Sequence, residues 1–352
     1  MEQFRHSVLA WFEIHGRKNL PWQNPRDPYR VWISEIMLQQ TQVATVVPYF
    51  ERFAGNFPDI RTLASAPAER VLALWSGLGY YARARNLHRC AEIVAERYAG
   101  ALPATLDELA DLPGIGRSTA GAILSLGFGI RATILDGNVK RVLCRYRGIE
   151  GWPGTASVAA SLWATADRLT PPDRSDAYNQ AMMDLGALVC TRGRPACNHC
   201  PLSPGCRARS EQRVGSLPSP RPRRTVPVRR CTMLILEDGA GNFFLERRPP
   251  TGVWGGLWCF PMFDDTTQIA PWLATNSLRA EHLADLPAQR HTLTHFHLDF
   301  VAVRMQTTRP PDRVSEAHSC WTSPNHASDL GLPAPVRRLL DQFNNYLGAT
   351  RT

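Results

Sequence analysis

The chain has 352 residues, more than one typical domain core needs and about enough for two domains. Apolar residues make up 44% of it and can fill a substantial core; without an apolar leader or a run of membrane-spanning length, we expect an intracellular, cytoplasmic protein rather than a secreted or membrane one. The net charge of +9 favours an anionic partner, nucleic acid first, although a merely basic protein would carry the same charge.

Residues 1–208 are predicted to be mostly helical, because apolar residues recur at helical spacing and strand-like alternation is scarce. Two start signals agree with this. Asp27 followed by Pro28 is typical of an N-cap and first helical position, and Thr105 with Glu108 forms a capping box. The predicted helices lie at Val31–Gln42, Ala82–Tyr98, Ser118–Leu126, Val139–Tyr146 and Tyr178–Val189.

The first of these helices contains a carboxylate, Glu35. It stands four residues after Val31 and three before Leu38, so on a helix it shares a stripe with apolar neighbours. A carboxyl group desolvated by such a face has a raised pKa and can donate a proton near neutral pH. The alternative is an acid that faces solvent from the flank of the helix, and periodicity does not separate the two.

A glycine turn, LPGIG, precedes the helix at Ser118–Leu126. Gly114 and Gly116 allow backbone N–H groups to point outward at a helix N-terminus, which is a phosphate site. It is neither a Walker loop, since no GK[ST] follows, nor a dinucleotide fingerprint, since no strand precedes it. Helix, LPGIG, helix is similar to the helix-hairpin-helix that grips DNA phosphates without reading bases. A plain packing turn is the alternative.

Downstream of the turn, Asp136 precedes the helix at Val139–Tyr146 in the segment ILDGNVKRVLCR. An aspartate at that position is commonly an N-cap. The functional alternative is a catalytic carboxylate, the second of a pair with Glu35.

Four of the nine cysteines fall in one short stretch, with six, two and five residues between them: Cys190, Cys197, Cys200 and Cys206. Four thiolates separated by Pro and Gly can wrap one metal centre. Zinc and an iron–sulfur cluster both take four cysteines, although zinc sites more often pair two C-x2-C knuckles and only one is present. The spacing therefore predicts a metal centre and leaves its metal open.

After the cysteines the composition changes. The segment Ser216–Arg230 is rich in Pro and Arg, and predicts an extended linker over residues 209–230. Residues 231–352 are predicted to form a smaller α+β domain. Its expected strands are Thr232–Leu236, Phe243–Arg247 and His297–Met305, and its closing helix is Val336–Phe343.

Several segments carry a resemblance to a known family. The cysteine spacing resembles the [4Fe–4S] loop of the endonuclease III family, and the other segments resemble adenine DNA glycosylases of the MutY type: MLQQTQV, GLGYYARARNLH, LPGIGRSTAGAI, ILDGNVKRVL, NQAMMDLGA and, in the second domain, GVWGGLWCFP and HTLTHFHLD. The resemblance implies a helical helix-hairpin-helix glycosylase domain (1–208) with an iron–sulfur loop (190–206), then a C-terminal Nudix-like α+β domain (231–352) that recognises 8-oxoguanine.

The resemblance also implies a reaction. The family removes adenine that is mispaired with 8-oxoguanine or guanine in double-stranded DNA, after flipping the adenine into a pocket. Glu35 would be the general acid that protonates adenine N7, and Asp136 would stabilise the oxocarbenium-like sugar, directly or as a covalent adduct. Asn138 matches a position that supports Asp136. We expect a monomer that acts at the nucleoid.

Other positions acquire roles by the same resemblance. Tyr80 matches an aromatic wedge beside the oxidised guanine, and its alternative, core packing, fits Tyr81 equally well. In the recognition loop, where the family has Phe-Ser-His, this chain has Leu293, Thr294 and His295, so the hydroxyl is kept and the aromatic ring is lost. The remaining expected contacts are Gln40, Gly114, Gly116, Ser118 and Lys140 with DNA, and Trp22 beside the adenine pocket.

Three other activities compete with this one. A lyase of the endonuclease III kind needs an amine nucleophile; that family has Lys where this chain has Ser118, and Lys140 is the nearby amine for weak lyase chemistry. A Nudix hydrolase is rejected because Asp264–Leu283 lacks the metal-binding REUxEExGU helix. A non-catalytic DNA-binding or electron-transfer protein is disfavoured by the pairing of Glu35 with Asp136.

Overall fold

The computed structural model describes residues 1–222, 225–307 and 318–349. The chain divides into two compact units: Met1–Ser65 with Arg85–Arg223, and Ala66–Ala84 with Arg224–Thr352. A mainly helical first unit and an α+β second unit confirm the predicted fold class. None of the helices in the described ranges is long and apolar enough to cross a membrane.

The helices that precede residue 222 follow one another with short connections. Pro28 opens α2 behind the N-cap Asp27, whose side chain accepts a hydrogen bond from the Tyr29 N–H, as the sequence predicts. In chain order they are α1 (Glu2–His15), α2 (Pro28–Leu38), α3 (Val43–Asn56), α4 (Ile60–Ser65), α5 (Ala68–Trp75), α6 (Ala82–Arg97), α7 (Leu106–Ala110), α8 (Arg117–Ala122), α9 (Gly137–Arg147), α10 (Ala156–Leu169), α11 (Ser175–Asp184) and α12 (Arg207–Ser210).

Two predicted helices end earlier than their apolar pattern does. Helix α8 continues as a π-helical segment, Ile123–Phe128, and α11 continues as another, Leu185–Val189. The first of these segments approaches α2 so closely that a Cβ on Gly127 would lie 2.7 Å from the Pro28 Cα. Periodicity alone does not reveal such packing, because a π-helical turn keeps the apolar face while changing the residues per turn.

The core of the first unit lies among α1, α9, α10 and α11, whose apolar faces pack together. Its fully buried members carry no polar side-chain atoms, so their burial is the main stabilising contribution of this layer. They include Val8, Leu143, Leu162, Ala181 and Leu185.

Part of the segment predicted as a linker, 209–230, contacts the rest of the first unit. Leu217 is buried, and its carbonyl accepts a hydrogen bond from Arg145 Nε at 2.8 Å. Ser219 Oγ accepts one from the Gly151 N–H at 3.1 Å. At its far end the segment enters the first strand, and two of its arginines, Arg223 and Arg224, lie outside the described residues.

The second unit is built on a mixed sheet whose main path has the strand order β3-β2-β1-β6-β5. Strand β1 begins at Val228, earlier than predicted, because it pairs in parallel with β6 from Val228 opposite His297 onward. The other pairs are antiparallel. The strands and helices are β1 (Val228–Glu237), β2 (Phe243–Arg247), β3 (Trp258–Cys259), β4 (Met262–Phe263), α13 (Ile269–Thr275), β5 (Ala280–Thr292), β6 (His297–Thr307), β7 (Ser319–Thr322) and α14 (Ala334–Ala349).

A buried carboxylate fixes α11 within the first unit. Asp184 has no exposed surface and accepts hydrogen bonds from Arg17 through its backbone N–H at 2.7 Å, Nε at 2.9 Å and a terminal nitrogen at 2.6 Å. Gln180 Nε2 donates a further bond at 2.8 Å. A buried charge with this many donors is tolerated only while they are present.

Replacing Asp184 with Asn should destabilise the protein by roughly 3–5 kcal/mol, because Arg17 then lies against a neutral group. The free energy of unfolding from denaturant titration measures the loss. Glu150→Gln, which removes the exposed partner of Arg213, is the control and should cost less than about 1 kcal/mol. Equal losses in the two variants would contradict the importance of the buried pair.

Candidate active site

The first turn of α9 holds Asp136 through two separate donors. One carboxylate oxygen accepts the Val139 N–H at 2.7 Å, which makes Asp136 the N-cap of the helix. The other accepts the Asn138 side-chain amide at 3.0 Å. Because the capping role and a catalytic role use different lone pairs, the two interpretations of Asp136 are compatible.

Arg141 connects this turn to the cysteine segment. Its guanidinium donates to Asn138 Oδ1 at 2.7 Å and, through Nε, to the Cys190 carbonyl at 2.7 Å. It also donates to the Gly186 carbonyl at 2.8 Å, where the chain passes so close to α9 that a Cβ on Gly186 would lie 2.5 Å from Asn138 Cβ. Sequence reasoning missed Arg141, although its i+3 spacing from Asn138 on a helix was a usable signal.

Glu35 lies on α2, near enough for the charge of Asp136 to act on it. Burial of the carboxyl, followed by the negative charge of Asp136, raises the pKa of Glu35 to about 8. The residue as a whole keeps some exposed surface, while its carboxyl is enclosed by protein. A neutral carboxylic acid near pH 7 beside a second carboxyl group can act as a proton donor.

The glycine turn lies between α7 and α8. Gly114 has a left-handed φ of +81°, and a Cβ there would come within 3.0 Å of Asn86 Cβ, so glycine is required. Gly116 is the N-cap of α8. Ser118 Oγ accepts the Leu135 N–H at 3.0 Å, which ties the helix after the turn to the residue that precedes Asp136.

The four clustered cysteines line one pocket of about 300 Å³. Burial, together with the neighbouring thiols of Cys190, Cys206 and Cys197, raises the pKa of Cys200 to about 11, so the four sulfurs are close together. No three His, Cys, Asp or Glu side chains in the described ranges are placed to hold a single metal ion. The four thiols nevertheless line one shared space in the first unit.

Two further polar groups belong to the cysteine pocket. Arg145 is almost fully buried and donates to Cys190 Sγ at 3.3 Å and to the Thr191 carbonyl at 2.7 Å. Ser203 Oγ also lines the pocket and is buried without a hydrogen-bond partner in the described part of the chain. An iron–sulfur cluster, with its sulfides, would supply an acceptor for that hydroxyl.

Trp22 lines a second pocket of about 650 Å³ in the first unit. The ring is buried and packs edge-on against Phe50 at 5.4 Å. Two glutamines that sequence reasoning did not single out, Gln23 and Gln180, also line it. Gln23 accepts the Leu20 N–H and donates to the Arg17 carbonyl, and Gln180 Nε2 donates to Asp184.

The other predicted contacts are placed as follows. Gln40 is exposed just after α2, with a left-handed φ of +60°, and Lys140 lies in the second turn of α9. In the second unit, the Leu293 N–H donates to the Phe296 carbonyl at 3.0 Å, which leaves Thr294 and His295 exposed at the tip of the β5–β6 hairpin. The predicted wedge, Tyr80, belongs to the second unit and is 48% exposed.

Comparison with known proteins gives two family matches. Residues 33–167 match the model of the HhH-GPD superfamily of base excision DNA repair proteins, and residues 232–342 match that of the NUDIX domain. The adenine DNA glycosylase of Buchnera aphidicola subsp. Baizongia pistaciae is 38% identical over 344 residues, which covers 97% of each chain. That of Mus musculus is 32% identical, covering 99% of this chain and 79% of the mouse protein.

Solved structures resemble the helical part. A thermostable thymine-DNA glycosylase has a TM-score of 0.55 and 28% identity, covering 60% of this chain and 96% of its own. Endonuclease III in a non-covalent DNA complex has a TM-score of 0.52 and 24% identity, with 60% and 97% covered, which shows a shared fold.

The raised pKa of Glu35 predicts a pH-dependent stability. The folded state binds the Glu35 proton more tightly than the unfolded chain does. The stabilisation that this provides is complete below about pH 4.5 and is lost as the pH rises toward 8. Relative to Glu35→Gln, the wild-type free energy of unfolding should fall by about 1.4 kcal/mol per pH unit across this window. Denaturant titrations at several pH values measure it.

Glu51→Gln is the matched control, since it neutralises an exposed acid on α3. Its pH profile should stay parallel to the wild-type profile. If the Glu35→Gln profile were also parallel to the wild-type profile, the raised pKa of Glu35 would be contradicted.

Proposed function

The chain belongs to the adenine DNA glycosylase family, and from this premise we propose that it removes adenine mispaired with 8-oxoguanine or guanine in double-stranded DNA. As a DNA glycosylase it hydrolyses N-glycosyl bonds in base-excision repair. The observation that carries the proposal is the raised pKa of Glu35 beside Asp136, since the reaction needs one carboxyl as a proton donor and another as an anion.

In the proposed reaction, adenine leaves the base stack and enters the enzyme, because its glycosidic bond is unreachable inside the duplex. Glu35 transfers its proton to N7, and the bond between C1′ and N9 breaks with its electron pair going to the base. Asp136, held by Val139 and Asn138, faces the positive charge that develops on the sugar. Water then adds to C1′ and gives up a proton to a carboxylate.

Further parts of the protein are assigned to the flipped purine and to the DNA around it. We assign the pocket lined by Trp22 and Gln180 to the flipped adenine. The backbone around Gly114 and Gly116 supplies amides for a DNA phosphate, and we assign Gln40, Ser118 and Lys140 to the same surface. In the second unit, the Thr294 hydroxyl and His295 are assigned to the oxidised guanine and Tyr80 to the wedge beside it; Leu293 adds no stacking ring there.

We also propose a [4Fe–4S] cluster as the cofactor, bound by Cys190, Cys197, Cys200 and Cys206. The shared pocket, and the unpaired Ser203 hydroxyl within the described chain, favour it over a single zinc ion. The cluster would supply four iron–thiolate bonds that hold this segment in shape. The protein is proposed to act as a monomer on DNA at the nucleoid, where its substrate is.

A strand-cutting lyase is the second candidate, and Ser118 argues against it. Its hydroxyl accepts the Leu135 N–H where a lyase would need an amine. Lys140 remains available for slow lyase chemistry only.

Wild-type protein should release adenine from a duplex containing 8-oxoguanine opposite adenine and should leave the strand intact until alkali is added. Glu35→Gln should lower the single-turnover rate by at least about a hundredfold, since a general acid contributes that much, with duplex affinity little changed. Gel analysis of the product strand, with and without alkali, measures both properties.

Glu51→Gln is the control and should release adenine at the wild-type rate. Prompt nicking would favour the lyase, and tight binding without release would favour a binding protein. Normal turnover by Glu35→Gln would overturn the general-acid assignment.

Purified wild-type protein should be brown and contain about four irons per chain. Cys200→Ser should lose the colour and most of the iron, whereas Cys320→Ser, which changes a thiol outside the cysteine pocket, should keep both. Visible absorption and metal analysis measure the outcome. A colourless protein with one zinc per chain would contradict the cluster.

A further inference from the structure

The segment around Tyr80 has an unusual backbone. Gly77 has φ +101°, Gly79 +72° and Tyr80 itself +49°, so the chain is left-handed at three of four successive positions. Glycine adopts this conformation freely, but for tyrosine it is strained and persists only where the surroundings impose it. We call residues 76–81 the wedge loop.

Two side chains of the second unit donate hydrogen bonds to the backbone of the wedge loop. Trp75 Nε1 donates to the Gly79 carbonyl at 3.2 Å, and the Arg83 guanidinium donates to the same carbonyl at 3.2 Å. The guanidinium also lies 5.4 Å from the ring centroids of both Trp75 and Tyr80. Tyr80 is therefore supported by Arg83 while nearly half of its surface stays exposed.

A second set of contacts joins the wedge loop to the C-terminal sequence. Tyr81 Oη donates to the Leu332 carbonyl at 2.7 Å, and the Ser76 hydroxyl donates to the same carbonyl at 3.4 Å. Arg337, on α14, donates to Ser76 Oγ at 3.1 Å. The Tyr81 bond is the shortest of the three and comes from the residue next to Tyr80.

Helix α5, which leads into the wedge loop, is joined to the same unit by an ion pair. Arg247, on β2, lies 2.5 Å from Glu69 in the first turn of α5. Because the helix is anchored at its start and the loop at its end, a shift of the Leu332 carbonyl would reach the wedge loop through the Tyr81 and Ser76 hydroxyls, and Tyr81 is the one next to Tyr80.

We propose that Tyr81 is a positioning residue for lesion recognition: its hydroxyl bond to Leu332 holds the left-handed Tyr80 in the geometry that contacts the oxidised guanine. The inference rests on the proposed function, in which Tyr80 is the wedge. It assigns a role to a tyrosine for which the sequence offered only core packing. It also makes preference for the oxidised base depend on a hydrogen bond that touches neither DNA nor the reacting carboxyls.

Tyr81→Phe tests this, because it removes the hydroxyl and keeps the ring. Single-turnover adenine release is measured on two duplexes, with adenine opposite 8-oxoguanine and opposite guanine. The ratio of the two rates should fall on the order of fivefold, which is the usual effect of losing one such bond, mainly through slower release opposite 8-oxoguanine. The melting temperature should change little. Tyr98→Phe, which removes a hydroxyl from the residue that follows α6, is the control and should leave the ratio of the two rates unchanged.

A double-mutant cycle separates positioning from a general structural effect. In a Tyr80→Ala background, Tyr81→Phe should have no further effect on the ratio, because Tyr81 acts through Tyr80. An undiminished effect in that background, or a ratio within twofold of wild type for Tyr81→Phe alone, would overturn the inference. If the wild type released adenine from neither duplex, the proposed function would fail first, and the inference with it.

Discussion

Helix α9 is the element on which the site depends, because a single run of hydrogen bonds along it joins the carboxylate to the cysteines. The Asn138 amide donates to the Asp136 carboxylate, and Arg141 donates to Asn138 Oδ1. Arg141 also donates to the Cys190 carbonyl through Nε. One helical turn further on, Arg145 donates to Cys190 Sγ and to the carbonyls that follow it. A change in the shape of the cysteine segment would therefore reach Asp136 through two side chains.

The two carboxyl groups differ because their surroundings differ. Asp136 stands at a helix N-terminus, where its carboxylate accepts the Val139 N–H and the Asn138 amide. Glu35 is enclosed on the apolar side of α2, and the negative charge of Asp136 acts on it. Both effects raise the pKa of Glu35, so that it retains its proton. The difference between the two carboxyl groups thus follows from where each lies in the first unit.

Sequence reasoning identified the parts of the site that local patterns encode. The cap at Asp136, the turn at Gly114 and the grouping of the four cysteines each depend on neighbours within a few residues. It missed Arg141, although the i+3 spacing from Asn138 was a usable signal. It missed Gln180 because the pocket that this residue lines is formed by distant segments. The early start of β1 was missed for the same reason, since only pairing with the distant β6 makes those residues a strand.

The division of the chain into units has a consequence for how the second unit contributes. Residues 66–84 fall inside the range that matches the glycosylase superfamily, yet they cluster with the C-terminal sequence. Glu69, Ser76 and Tyr81 each bond to a residue beyond 240. A chain shortened after residue 230 would therefore lose the contacts that Glu69, Ser76 and Tyr81 make with the C-terminal sequence, while those of Trp75 and Arg83 with the wedge loop would remain. The backbone of Tyr80 thus depends on partners from both parts of the sequence that build the second unit.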